Sequence, residues 1–192
     1  NIKKVLAYSS LAHVGLIAAG IYTLTLDGIR GAFLQMIAHG FAVAGLFFAA
    51  EVIERRYGTQ SISEMGGIRP QAPKFASMFL ILVMASVALP GTFSFVGEFE
   101  LLYSLAQTHL AFAVLGGTTI ILGAFYMLKM FQKAMLGETN AKPFADVTFA
   151  EGTVFVIIIA VLIFFGLYPK PITDFIMPEI QNMLVYINRY KL

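Results

Sequence analysis

Apolar runs of membrane-spanning length alternate with short polar segments along most of the chain. A spanning helix needs about 20 predominantly apolar residues, and the first such run, residues 5–26, carries no charge. Asp27, Gly28 and Arg30 read as a short turn after it. The second run covers residues 31–50 and is closed by Glu51, Glu54, Arg55 and Arg56. A polar linker follows over residues 57–74, punctuated by Gly58, Gly66, Gly67, Pro70 and Pro73, residue types that interrupt helices. The third run is longer, residues 75–107, and the fourth covers residues 110–128 and ends in Lys129, Gln132 and Lys133. Residues 137–151 form a second polar linker with Asn140, Pro143 and Asp146. The fifth run, residues 152–168, is richest in Ile and Val. Beyond Pro169 and Pro171, residues 172–190 mix apolar and polar positions, as a helix lying along a membrane interface does. The pattern predicts an all-α, polytopic transmembrane helix bundle. It is a single membrane domain over residues 1–192, with spans near 5–26, 31–50, 75–107, 110–128 and 152–168.

The third run is the unusual one. Residues 88–100 read Ala-Leu-Pro-Gly-Thr-Phe-Ser-Phe-Val-Gly-Glu-Phe-Glu. Pro90 has no N–H and its ring collides with the carbonyl four residues back, so a helix kinks or breaks there. Backbone freed at membrane depth persists only where protein buries it or a polar cavity receives it. A broken helix with an acid beside the break is how many ion transporters build a site near the bilayer midplane. The alternative is a kinked helix that leaves the membrane at Gly97, with Glu98 and Glu100 in water. Ser94, four residues before Glu98, is a candidate N-cap of the second half-helix. The N-terminal end of that half-helix favours the carboxylate form of Glu98, whereas burial favours the neutral acid. Glu100 points about 200° away around the helix, towards an interface or a partner.

Composition agrees with a membrane domain. Hydrophobic residues make up 58% and charged residues 12%, against about a quarter charged in a soluble domain. The absence of Cys removes disulfides and thiolate metal sites, and a net charge of +2 is too small to suggest nucleic acid. The chain begins at Asn1, and Lys3 and Lys4 lead straight into an apolar run too long for a signal peptide, so it reads as beginning in mid-protein. With five crossings, Lys3, Lys4, Arg55, Arg56, Arg69, Lys74, Lys129, Lys133 and Lys142 share one side, and Arg30, Lys170, Arg189 and Lys191 the other. The positive-inside rule then places the N-terminal end and both long linkers in the cytoplasm or its organellar equivalent.

A titratable group within a span is costly and is a functional hypothesis by default. His13 has Ser9 and Ser10 on its helical face, and His39 has Gln35 one turn earlier. Such faces pack inward, where histidine either passes protons near neutral pH or makes a plain interhelical hydrogen bond. His109, between two spans, reads as a solvated loop residue. Three histidines on separate elements, with no His or Glu partner at i+3 or i+4, make a poor metal site. Gly116, Gly117 and Gly123 suggest close helix packing. No phosphate loop, nucleophile elbow or nucleotide fingerprint occurs, which excludes the motif-based enzyme classes.

These residues carry a family resemblance. Lys3-Lys4, Ala7-Tyr8-Ser9-Ser10, His13 and Gly15 resemble a segment of the antiporter-like subunits of NADH-quinone oxidoreductase, and Leu34-Gln35-Met36-Ile37-Ala38-His39-Gly40 with Gly45-Leu46-Phe47-Phe48 resembles the helix that follows. Leu89-Pro90-Gly91 through Phe95-Val96-Gly97-Glu98-Phe99 is similar to the broken helix of subunit M, chain 4 in mitochondria. Related subunits usually carry lysine where this chain has Glu98. The resemblance weakens only after Tyr168, and implies the C-terminal part of that longer subunit of respiratory complex I.

What the resemblance implies is a proton-translocating membrane subunit that contributes the outward half-channel of a proton path. Glu98 is its terminal acid, and His39 and His13 are the polar-axis groups leading to it. It further implies an enzyme subunit with no redox chemistry and no cofactor on this chain. Its neighbours would be other membrane subunits, antiporter-like ones above all, in a bacterial or mitochondrial inner membrane. A subunit of a multisubunit cation/proton antiporter or of a membrane-bound hydrogenase shares these features and stays open as the alternative. So does a purely structural piece with no proton role.

Overall fold

The computed structural model describes residues 1–137 and 143–190; Asn140, Lys142 and Lys191 of the sequence reading lie outside the described residues. Eight α-helices and no strand occur among the described residues. Helix α1 is Ile2–Tyr22, α2 Leu26–Tyr57, α3 Ile68–Gln71, α4 Pro73–Ser86, α5 Phe93–Thr108, α6 Leu110–Met135, α7 Phe149–Leu167 and α8 Lys170–Tyr190. Four of them, α1, α2, α6 and α7, are each long and apolar enough to cross a membrane, and α4 is a shorter apolar helix. Together α4 and α5 make up the interrupted third run.

The first turn falls earlier than the charge pattern suggests. It lies at residues 23–25, where Leu24 takes a left-handed φ of 51° and the Thr25 hydroxyl accepts the Gly28 N–H at 3.1 Å. That hydroxyl caps α2, so Asp27, Gly28 and Arg30 lie within its first two turns rather than between helices. Asp27 there complements the positive end of α2, as Arg55 and Arg56 complement its last turn. Gly58, at φ 72°, ends the helix in the left-handed conformation that glycine adopts without strain.

The third run is interrupted over residues 87–92, starting before Pro90. Ala88 adopts φ 55° and Gly91 φ 93°. The chain re-enters a helix at Phe93, so Thr92, and not Ser94, is the cap residue; the Thr92 hydroxyl donates to the Leu89 carbonyl at 2.7 Å. Ser94 is inside the first turn and 1% exposed. The interruption rests on α7, where a Cβ on Gly166 would fall 2.4 Å from the Gly91 carbonyl oxygen. Only a glycine lets α7 come this close.

Helix α2 is the hub. It packs against α1, α4, α5, α7 and α8, and its inward face contributes Leu34, Ala38, Ala42, Leu46 and Ile53 to the main apolar core. Helix α8 lays one face along α2, burying Ile180, while its Phe175 is exposed. Of the three glycines expected to allow close packing, only Gly116 does so: a Cβ there would meet Leu102, Leu16 and Leu105 within 3.0–3.3 Å, whereas Gly117 faces open space and Gly123 has ordinary contacts.

Charged groups tie the bundle at the end where α1 starts and α2 finishes. Lys3 Nζ on α1 pairs with Glu51 at 2.8 Å and Glu54 at 2.5 Å on α2. Arg56 donates to Glu151 at 2.6 Å on α7 and lies over the Phe144 ring. Helix α4 starts at Pro73 with no side-chain cap of its own. The cap comes instead from the second linker: Asp146 accepts the N–H groups of Lys74 at 3.2 Å, Phe75 at 2.9 Å and Val147 at 2.8 Å. Partial burial works against the Asp146 carboxylate, but the donated N–H groups of Phe75, Val147 and Lys74, with the Lys74 ammonium, hold its carboxyl below the ordinary 3.8. A depressed carboxyl stabilises the fold above the unfolded-state pKa and loses that stabilisation as pH falls through the folded-state value. Asp146→Ala should therefore lower thermal stability in detergent at neutral pH by about 1 kcal/mol, a typical cap loss. The difference between parent and variant should shrink on acidification below 3.8; a gap that persists unchanged in acid would show that charge has no part in it.

Candidate functional site

The site begins with the interruption. Helix α4 ends at Ser86 and Pro90, four residues on, has no N–H, so the Ser86 carbonyl is left without a helical donor. His13 of α1 fills that role, with Nε2 3.1 Å from the Ser86 oxygen. The same nitrogen is 3.1 Å from Glu98 Oε1. The other ring nitrogen, Nδ1, is 2.8 Å from the Ser9 carbonyl oxygen. A carbonyl only accepts, so Nδ1 carries a hydrogen. By the same rule Nε2 bonds the Ser86 carbonyl only while it too carries a hydrogen, so passing that proton to Glu98 Oε1 gives up the Ser86 bond.

Glu98 is 2% exposed, in the second turn of α5. The span does not end at Gly97, and the acid is enclosed by the bundle. Its Oε1 accepts from Gln35 Nε2 of α2 at 2.9 Å as well as facing His13. Its Oε2 is buried with no partner, and so is Gln35 Oε1. An orphaned buried carboxylate oxygen is costly, and such exceptions gather where a group must change state. A cavity of about 10 Å³, near the smallest that holds a water molecule, is lined by Glu98, His13, Ser86 and Thr119.

Gln35 reaches the acid because α2 and α5 nearly touch. A Cβ on Gly97 would stand 2.7 Å from the Gln35 backbone nitrogen, and one on Gly31 would stand 2.8 Å from Glu100 Cβ. The second contact sets up another pair, Arg30 Nε to Glu100 Oε2 at 2.8 Å, with Arg30 Nη2 to Asp27 Oδ1 at 3.0 Å. Glu100 is thus paired on the far side of α5 from Glu98.

His39 completes the row. Its Nε2 lies 3.0 Å from Ser10 Oγ of α1, and its ring stacks on His13 with centroids 4.9 Å apart and planes inclined by 24°. A proton on one ring thereby faces the other at close range. His13, His39 and Glu98 come from three different helices and form one contiguous cluster. His109 stands apart: it is exposed and its Nδ1 accepts the Ala111 N–H at 3.2 Å, capping α6.

Three features escaped the sequence reading. Gln35 was grouped with His39 by helical spacing, but its partner is Glu98. The Ser86 carbonyl carries no side-chain signal, although counting four residues back from Pro90 locates it. The Arg30–Glu100 pair needed the close crossing that Gly31 and Gly97 permit.

Fold and site together define a class: polytopic helical membrane proteins that keep ionisable side chains inside the bundle. More narrowly, the chain belongs to the NADH:quinone oxidoreductase/Mrp antiporter transmembrane family, whose model matches residues 1–125. It is similar to NADH-quinone oxidoreductase subunit M of Rickettsia typhi, 36% identical over 188 residues, covering 96% of this chain and 38% of the relative. Subunit M of Mycobacterium tuberculosis is 35% identical over 193 residues, covering 99% of this chain and 35% of the relative. The chain thus spans little more than a third of the length of these relatives. Among solved structures, a chain of respiratory complex I from Thermus thermophilus with bound NADH superposes with a TM-score of 0.88 at 31% identity, over 93% of this chain and 38% of that one. A chain of the Mrp complex from a Dietzia species shares the fold, with a TM-score of 0.85 at 18% identity, over 93% of this chain and 42% of that one.

Gly97→Ala should force α2 and α5 apart and loosen the Gln35–Glu98 bond, at a cost of about 1–3 kcal/mol, as overpacking does. Gly117→Ala, where a Cβ meets nothing, is the control. Thermal unfolding of the two variants in detergent measures the difference, and equal midpoints would refute a tight crossing at Gly97.

Proposed function

We propose that this chain forms part of a proton-translocating membrane subunit of an NADH-quinone oxidoreductase and contributes the outward half of a proton path. The observation that carries this reading is the contact row His39–His13–Glu98, its histidines half-buried and its acid fully buried, which crosses three helices. His39 and His13 act as neighbouring carriers of one proton. His13 Nε2 and Glu98 Oε1 exchange it directly, and the unpartnered Oε2 is the face from which Glu98 passes it on. Gln35 orients the carboxyl group, and the Ser86 and Ser9 carbonyls hold the His13 ring in place. Electron transfer and quinone reduction take place on other subunits, and this chain needs no cofactor for its part.

In this reading the N-terminal end and the long linkers face the cytoplasm, by the excess of Lys and Arg there. The C-terminal end lies on the opposite side, and the surrounding partners are the other membrane subunits, neighbouring antiporter-like ones above all. A second reading, a subunit of a cation/proton antiporter, draws on the fold shared with the Mrp complex chain. Subunits that purify together with the chain separate the two, since an NADH dehydrogenase and iron–sulfur proteins accompany only the first.

Glu98→Gln should abolish most NADH-driven proton uptake by inverted membrane vesicles while the assembly forms at its normal level. Glutamine keeps the shape and the hydrogen bond from Gln35 but cannot release a proton. Undiminished pumping in the variant would remove Glu98 from the mechanism.

A further inference from the structure

Three layers stack outward from the acid across α1, α2 and α5. The first contains His13, Gln35 and Glu98. The second is wholly apolar: Leu16, Ile17, Ala32, Leu101 and Leu105, each no more than 6% exposed, form a cluster separate from the main core. The third is made of hydroxyls. Ser104 Oγ lies 2.6 Å from Thr25 Oγ1 and 2.7 Å from Thr23 Oγ1, and the two threonine oxygens are 3.0 Å apart. Ser104 is fully buried at 0% exposure.

Glycines close these layers on one another. A Cβ on Gly20 would fall 2.1 Å from Leu101 Cδ2, and one on Gly28 would fall 2.5 Å from Ser104 Oγ. The leucine and serine of α5 are therefore pressed against the bare backbone of α1 and α2. On the inner side, the one-water cavity beside Glu98 ends at Leu16. Leu16 and Thr119 also line a larger groove of about 440 Å³ on the outer half of α1, α5 and α6, which extends to Thr23 and Thr108. Ala12, Leu16 and Thr119 are the wall the two cavities share, and Leu101 belongs to the same apolar cluster as Leu16.

We infer that Leu16 and Leu101 form a dry outward gate for Glu98, and that Ser104, with Thr23 and Thr25, is the proton station beyond it. This inference rests on the proton-path reading of Glu98. Packed aliphatic side chains exclude water, and an apolar constriction without water blocks ion passage until it wets. When the gate admits water, the proton leaves Glu98 Oε2 through that water to Ser104 Oγ. The Ser104 oxygen takes it up as its own hydrogen passes, directly or by way of Thr25, to Thr23. The Thr23 hydrogen turns from the Gly20 carbonyl, 2.7 Å away, and passes to water in the outer groove that Thr23 lines. Each hydroxyl both donates and accepts, so no net charge stays behind and rotation of the three hydroxyls restores the start. The closed leucine layer keeps the driven proton from returning between strokes.

The test uses the intact assembly that carries this chain, reconstituted in liposomes with a trapped pH dye and no electron donor. Leu101→Ser should raise passive proton equilibration about tenfold, the change expected when a barrier falls by the net worth of one hydrogen bond. Leu16→Ser should do the same and stands in if the first variant fails to assemble. Adding Glu98→Gln to either should return the rate to that of the parent, because the leak must run through the acid. Assembled Leu101→Ser and Leu16→Ser that stay as tight as the parent overturn the gate, as does a leak that survives Glu98→Gln. With Glu98→Gln alone, lost pumping beside tight leucine variants rejects only the gate, whereas normal pumping rejects the proton-path reading itself.

Discussion

The hydrogen bond between His13 and the Ser86 carbonyl is the constraint on which the site depends. It exists because α4 ends at Ser86 and neither the turn that follows nor Pro90, which has no N–H, supplies that carbonyl with a donor. Once His13 is committed to Ser86, its ring plane is fixed, and the same Nε2 is brought to Glu98 at 3.1 Å. Ser9 fixes the other nitrogen at 2.8 Å. The stacking surface offered to His39 follows from that orientation. The broken end of α4 thus helps organise three ionisable groups drawn from three helices.

Holding these groups together requires helices that approach more closely than side chains normally allow. Gly97 against Gln35 and Gly31 against Glu100 bring α2 and α5 backbone to backbone. Gly20 and Gly28 do the same for the outer layers. Polar partners at such crossings are satisfied across the interface, which is how hydrogen bonds contribute to helix association where lipid offers none. At the end where α1 starts and α2 finishes the task passes to ion pairs and to Asp146, which caps a helix distant from it in sequence.

Much of the fold was legible in the sequence because its signals are long and repetitive: apolar runs and Gly/Pro-rich linkers. The interruption was legible from Pro90, and the candidate residues from their cost in an apolar setting. The first turn was misplaced because Asp27 and Arg30 look like loop residues in a hydropathy profile. The Thr25 cap and the Arg30–Glu100–Asp27 pairing in fact let them belong to a helix. Ser94 looks like a cap because a hydroxyl near a helix start commonly serves as one, but the chain re-enters the helix at Phe93. Partnerships such as Gln35 with Glu98 depend on which helices cross and how closely, and a period of 3.6 residues cannot reveal that.

Gly166 gives the seam between α7 and the interruption a mechanical character. Backbone meets backbone there, with no deformable side chain to absorb a shift. A sideways push on α7 is therefore conveyed to residues 91 and 92, and through the short connection back to Ser86 it reaches the peg that holds the imidazole. The fifth crossing has a direct handle on the alignment of His13 with its acid, although it contributes no titratable group to the cluster.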